Sequence, residues 1–317
     1  MHILDMGAIP LEQCIIYYII ILIAGYFAVD WVKNNLKDKQ IPFIAVISAG
    51  VLAIQTLNIP LFAGASGHMV GAALVAIIFR SPYAGFIVLT VVLIIQAILR
   101  GDGGFTTLGV NIFNMGLLGS FIGFYSFKGL KSILSKFKQI KPLLAENISV
   151  FIACFLSLFI VSLVVAIELW IGGTFPLIEG LLLMGSFHFF AGLIGEGLIS
   201  TIIYSTIKKV RPDLLSLNEN TSNGKTKNLL IIGVIIAIVI AILAVFVASS
   251  DPDGLERTLE LIDPNNVGEQ SFTGIFPDYM TEILGEKLFE IVASVIGVII
   301  AFLVVLGIMN LIKKRKN

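Results

Sequence analysis

Long apolar stretches broken by short polar ones set the pattern of this chain. Nine runs stand out, near 14–32, 42–58, 68–80, 82–99, 106–127, 143–171, 177–207, 229–248 and 287–311. A helix needs about 20 apolar residues to cross a bilayer, and most of these runs reach that length. The run at 68–80 is short. Arg80-Ser81-Pro82 interrupts it before the next, so it reads as half of a tight hairpin. The pattern predicts an all-α polytopic membrane protein. Composition agrees: 57% of the 317 residues are hydrophobic and 13% charged, with a mean hydropathy of +0.99. A water-soluble enzyme with one packed core is excluded on that balance.

Net charge is zero, so the total says nothing about partners, but its placement does. Eighteen of the 21 Lys and Arg residues follow spans one, three, five, seven and nine; only Arg100, Arg257 and Lys287 fall on the opposite side. The positive-inside rule then expects the N-terminus outside and the C-terminus in the cytoplasm of a cell-membrane protein. The start lacks the basic region and exit site of a cleavable signal, so Met1 is expected to keep its free amine on the outer face. Residues 1–211 hold seven spans. Pro212 to Asn228 reads as a polar cytoplasmic linker, and 229–317 supplies two spans around an outer loop. That loop, 249–286, carries nine acids (among them Asp251, Asp253, Glu256 and Glu260) against Arg257 alone, and is expected to be mostly solvated and only weakly metal-binding. Cys14 and Cys154 lie near opposite ends of their spans, too far apart for a disulfide.

Familiar catalytic signatures are absent. Gly224-Lys225-Thr226 lacks the first glycine of a phosphate loop, which is Glu219 here, and no strand precedes it. Arg100-Gly101-Asp102 reads as part of a turn. No HExxH, GxSxG or CxxC occurs, and nothing points to a nucleic-acid partner. The histidines are more informative. The Met1 amine and the His2 backbone nitrogen close a five-membered chelate ring; that nitrogen and imidazole Nδ1 close a six-membered one. His68, in Ala65-Ser66-Gly67-His68 on the same face, can add a fourth nitrogen. Planar nitrogen coordination suits Ni(II) or Cu(II), with Co(II) also accessible. The amine has a pKa near 8, so binding releases protons and weakens as pH falls. The ordinary alternative makes His2 a chance residue and His68 an interfacial one.

Inside the spans, His188, Gly192, Gly195 and Glu196 recur at i, i+4, i+7 and i+8, one helical stripe facing the bundle interior. It is open between packing and a supporting or pathway role. Asn111 and Asn114 share a face near the outer half of span five; they either glue helices together or line an outer cavity. Gly67 and Gly71 form a small-xxx-small pair suited to close helix contact.

Met1-His2-Ile3, Ala65-Ser66-Gly67-His68, the Gly101-Asp102-Gly103-Gly104 turn with Gly109 to Gly116, and His188 with Gly195-Glu196-Gly197 together resemble the CbiM/NikM family. These are substrate-binding membrane subunits of energy-coupling-factor (ECF) transporters for cobalt and nickel. Asp251-Pro252-Asp253-Gly254-Leu255-Glu256 looks like the PDGLE signature of the small CbiN/NikN partner, fused here behind the linker. The resemblance implies a seven-span S-component bundle plus a two-span part, with metal held by Met1, His2 and His68. It also implies partners: two cytoplasmic ATP-binding subunits and a transmembrane coupling subunit. No resident cofactor is expected, the metal being cargo. Family members often continue Met-His-Ile-Pro-Asp-Gly, whereas this chain has Leu4-Asp5-Met6-Gly7, a change that removes no ligand. The reading is an Ni(II)-capturing transport subunit rather than an enzyme. Co(II) is the alternative metal, and a secondary divalent-cation transporter or a membrane metalloenzyme are remoter readings.

Overall fold

The structure, a computed structural model, describes residues 2, 3, 7–210, 212–215, 223–263, 274 and 285–314. Ten helices organise them. They are α1 (Leu11–Asn35), α2 (Ile41–Gln55), α3 (Ala72–Ile78), α4 (Pro82–Arg100), α5 (Leu108–Leu134), α6 (Pro142–Ile171), α7 (Leu177–Val210), α8 (Asn223–Val247), α9 (Gly254–Ile262) and α10 (Glu286–Lys314). Among the described residues, seven helices are long and apolar enough to cross a membrane. The protein is a multi-pass α-helical membrane protein. Two of the nine expected spans are shorter than a bilayer requires: α2 has 15 residues and α3 has 7.

Faces divide as a bilayer demands. On α1 the residues turned inward are small or slender (Cys14, Ile21, Ala24, Ala28, Val32), while Leu22, Tyr26 and Phe27 are exposed. In water such a surface would be an aggregation site; against hydrocarbon it costs nothing. Helix α4 runs through the middle, packed by α3, α5 and α10. There Val88, Leu89 and Val92 have no exposed surface, so hydrocarbon meets the other helices first. Helices α3 and α5 approach closely at Gly123, where a Cβ would lie 2.9 Å from the Ala73 Cα. Van der Waals contact at that range is the main source of helix association in lipid. The two C-terminal helices, α8 and α10, pack on each other and on α2.

The two ends of the bundle differ. At one end Lys131 Nζ lies 2.5 Å from Glu146 Oε1, Lys208 pairs with the same carboxylate, and Lys313 Nζ donates to the Lys33 carbonyl at 3.2 Å. The other end gathers residues 2–3, the connections 56–71, 101–107 and 172–176, and the segment 249–262. The sorting of cations read from the sequence therefore recurs in three dimensions.

The run at 68–80 departs from its expected helix. Ile59–Pro60 (β1) pairs antiparallel with Ser66–Gly67 (β2), and helix begins only at Ala72. Gly71 is the reason: it sits at φ +82°, a left-handed conformation that ends the extended segment and starts α3. Gly67 and Gly71 are consequently not a helix-contact motif. Gly67 lies in β2 against Ala191, where a Cβ would come within 2.7 Å of the Ala191 Cβ. The polar linker is also shorter than expected, because helix α8 already begins at Asn223; residues 216–222 lie outside those described.

Candidate metal centre

His2 and His68 meet at one end of the bundle, their ring centroids 5.6 Å apart and inclined by 32°. Sequence distance is bridged by a clamp on the residue between His2 and the bundle. Asn111 Oδ1 accepts from the Ile3 N–H at 2.9 Å, and Asn111 Nδ2 donates to the Ile3 carbonyl at 2.9 Å and the Gly103 carbonyl at 3.1 Å. Thr107 Oγ1 lies 2.6 Å from the same two carbonyl oxygens. The Asn111 amide thus pairs with Ile3 as a neighbouring strand would, while the Ile3 side chain is 1% exposed. Gly103 closes the other flank at φ +82°; a Cβ there would lie 2.6 Å from Asn111 Nδ2 and 3.3 Å from His2 Nδ1. Only glycine lets this turn lie against the imidazole.

His2 Nδ1 is buried and has no hydrogen-bond partner among the described residues. Leaving such an atom unpaired costs about 1–3 kcal/mol, so buried polar groups in native proteins nearly always have a partner or a ligand. Burial holds the His2 imidazole well below the usual histidine range and brings His68 down to about 4, so both rings are neutral at pH 7. His68 Nδ1 lies 3.2 Å from the Met69 carbonyl oxygen. A carbonyl only accepts, so the proton sits on Nδ1 and the lone pair is on Nε2.

Glu196 holds the segment that carries His68. Its Oε2 accepts from the Val70 N–H at 2.6 Å and its Oε1 from the Gly71 N–H at 2.9 Å. The stripe proposed on α7 is split by a π-helical stretch, Gly192–Ile199. Extra residues per turn shift the phase. Gly195 and Glu196 therefore face the Met69–Gly71 backbone, whereas Gly192 packs on Phe155 of α6. A second π-helical stretch, Ile112–Leu118, separates the two asparagines. Asn111 reaches Ile3, but Asn114 Nδ2 donates to Glu168 Oε2 at 2.5 Å within the bundle. Asn114 is a helix-gluing residue and does not join Asn111 at the histidine pair.

His188 serves another contact. Its Nδ1 donates to the Met184 carbonyl at 2.8 Å, and its ring lies against Gly254. A Cβ on Gly254 would lie 2.9 Å from His188 Cε1 and 3.0 Å from the Phe187 Cβ. Here the acidic loop corrects the expectation of a solvated segment. Residues 251–262 are folded against the His68 segment: Ser66 N donates to the Pro252 carbonyl at 2.7 Å, Ser66 Oγ to the Asp251 carbonyl at 2.8 Å, and Arg257 Nε to the Ala63 carbonyl at 2.9 Å. Asp253 caps α9 by accepting from the Leu255 and Glu256 N–H groups at 2.7 and 3.0 Å. Glu256 returns the bond to the Asp253 N–H at 2.9 Å, a capping box. The rest of the acidic loop, 264–273 and 275–284, lies outside the described residues, as does Met1.

Among the described residues no three His, Cys, Asp or Glu side chains converge. Cys14 and Cys154 are buried and are not joined in a disulfide. The donor groups that the described residues bring together are the two imidazoles of His2 and His68. Sequence reasoning passed over Thr107 and the Glu168 partner of Asn114.

Comparison with known proteins places this arrangement. Residues 2–214 match the model of the cobalt uptake substrate-specific transmembrane region, CbiM, and residues 227–314 match the PDGLE domain. A fused nickel transport protein, NikMN, of Archaeoglobus fulgidus is 30% identical over 305 residues, covering 95% of either chain. A metal transport protein of Methanocaldococcus jannaschii is 29% identical over 71% of this chain and 99% of its own. A cobalt transport protein CbiM of Lachnoclostridium phytofermentans is 39% identical over 40% of this chain and 51% of its own. Among solved structures, a truncated transition metal transporter superposes with a TM-score of 0.56 at 27% identity, covering 66% of this chain and 99% of that one. The chain therefore belongs to the CbiM family of cobalt-uptake substrate-specific transmembrane proteins, and carries a PDGLE domain in the same polypeptide.

Proposed function

We propose that this protein is the substrate-binding subunit of an ATP-driven ECF importer, capturing Ni(II) with the Met1 amine, the His2 backbone nitrogen and imidazole Nδ1, and His68. The observation that carries the proposal is His2 Nδ1, a buried ring nitrogen with no hydrogen-bond partner among the described residues, 5.6 Å ring to ring from a second neutral imidazole. Neutral rings need not lose a proton to bind a cation, which suits capture at pH 7. Asn111, Thr107, Gly103 and Glu196 hold the two histidine segments and make no bond to metal. The distribution of Lys and Arg supports an outward-facing histidine end and a cytoplasmic basic end. Two ATP-binding subunits and a transmembrane coupling subunit on that cytoplasmic side would supply the energy, since the chain has no phosphate-binding loop.

Metal content per chain tests this, using full-length protein with its native start, loaded with equal nickel and cobalt. A control carries extra residues before Met1, which turn the amine into an amide. Nickel on the native protein, little on the control and weakened binding in His68→Ala is the expected result. Cobalt in place of nickel would keep the site and change the cargo. Equal metal on native and extended protein would refute the site.

A further inference from the structure

Beside the histidine pair, at the same end of the bundle, a polar cleft of about 300 Å³ opens between residues 1–211 and the C-terminal helices. Arg100 at the end of α4, Asn58 after α2, Ser250 after α8, and Lys287, Glu290 and Ser294 on α10 line it. Of the three basic residues that the sequence assigns to this end, two therefore face one cleft; the third, Arg257, is engaged with Glu260 and the Ala63 carbonyl. Arg100 Nη2 donates to Ser294 Oγ at 2.5 Å, which fixes the guanidinium in the cleft wall, with buried Asp102 as its neighbouring carboxyl. Lys287 has no carboxylate partner among the described residues; its Nζ stands 5.6 Å from the Phe246 ring. The first turn of α10, a 29-residue helix, adds backbone N–H groups and the positive end of its dipole.

The chemistry that complements this wall is an oxyanion held by charge-assisted bonds, with Arg100 offering a planar fork that matches a carboxylate. Glu290 on the same wall disfavours a ligand charged all over and accommodates a hydroxyl or ammonium group. The volume is at the lower end of small-molecule sites, more than a bare ion requires. Arg100 also opens the turn whose Gly103 lies against His2. Three residues of chain, at most about 11 Å, separate Arg100 from Gly103, so the cleft and the histidine pair belong to the same end of the bundle.

We propose that this cleft binds a small carboxylate anion, of the class that chelates divalent metal ions, so that a metal chelate is received at the end of the bundle that carries the histidines. Its metal-delivery role rests on the capture function proposed above; anion binding itself does not. When the metal passes to the histidines, metal–oxygen bonds to the chelator break as metal–nitrogen bonds form, with no change of oxidation state. Arg100 and Lys287 receive the released carboxylate.

The test is equilibrium dialysis of radiolabelled citrate against the metal-free full-length protein in nanodiscs of neutral phospholipid. Saturable binding at a single site is expected, weakened about tenfold or more in Arg100→Gln and in Lys287→Gln. Lys287→Gln removes no hydrogen bond that holds helices together, so it remains informative if Arg100→Gln fails to fold. Absence of saturable binding, or binding unchanged in Lys287→Gln, would overturn the proposal. A second arm uses nanodiscs containing anionic phospholipid: loss of citrate binding there would assign the cleft to a lipid phosphate and also overturn it. The N-terminally extended control should still bind citrate, so failure of the metal site and failure of the cleft give different results.

Discussion

Replacing Asn111 with Ala tests whether the histidine at the start of the chain is held by a side chain that never touches metal. Seating of residues 2 and 3 draws on burial of Ile3, about 1.5–3 kcal/mol, and on three hydrogen bonds from Asn111 and Thr107, about 1 kcal/mol each. Ordering two residues of backbone costs about 2–4 kcal/mol. The seated state is then favoured by about 0.5–4 kcal/mol, with a middle value near 2. Asn111→Ala removes two of the bonds to Ile3 and leaves its buried N–H without an acceptor, a loss of about 2–4 kcal/mol. At the middle of both ranges the variant should be seated about a fifth of the time, and apparent nickel affinity should fall by roughly fivefold. Titration calorimetry on protein with its native start measures the affinity, and amide hydrogen exchange at Ile3 reports the seating. Asn114→Ala is the paired control: its amide bonds Glu168, so affinity should hold while thermal stability falls. Unchanged affinity with unchanged Ile3 protection in Asn111→Ala would refute the clamp. Equal losses of affinity in both variants would refute the division of roles.

Glu196→Gln keeps the shape of the side chain but turns one N–H acceptor into a donor facing the Val70–Gly71 amides; nickel affinity should drop about tenfold, with faster exchange at those two amides. Gly254→Val forces a side chain into His188 and Phe187 and should release α9 from the His68 segment. A cysteine pair placed at Ser66 and Pro252 should then form its disulfide more slowly than in the parent, and an undiminished rate would show that α9 stays docked in spite of the clash.

Much of this was legible in the sequence, for identifiable reasons. Hydrocarbon leaves few options for an apolar run of twenty residues, so the long helices followed from length alone. His2, His68 and Asn111 were visible because each is a polar residue where lipid or a span mouth makes polarity expensive. Asn114 and Gly192 were misplaced by counting at 3.6 residues per turn through stretches that wind more slowly, and nothing local to Ile112–Leu118 or Gly192–Ile199 announces that change. The 68–80 run misled because Met69 and Val70 are as apolar as a helix face. The Val70 and Gly71 N–H groups bond instead to Glu196, a partner 126 residues away from Val70. The acidic loop looked solvated from its charges, yet Asp253 with Glu256 three positions on is a helix-start signal, and Gly254 between them marks close approach.

Fusion changes what the contact at Ser66 has to achieve. Three hydrogen bonds to two carbonyls and a loop backbone make a small interface, the kind that two separate proteins at micromolar concentration would hold only briefly. Because α8 and α10 pack directly on α2, the segment between them is presented to the loop at the millimolar effective concentration of a short tether. Docking becomes an intramolecular equilibrium that does not depend on how much protein the membrane contains. With Gly254 and Leu255 of α9 buried as well, the fused segment closes on the His68 segment without searching for its partner.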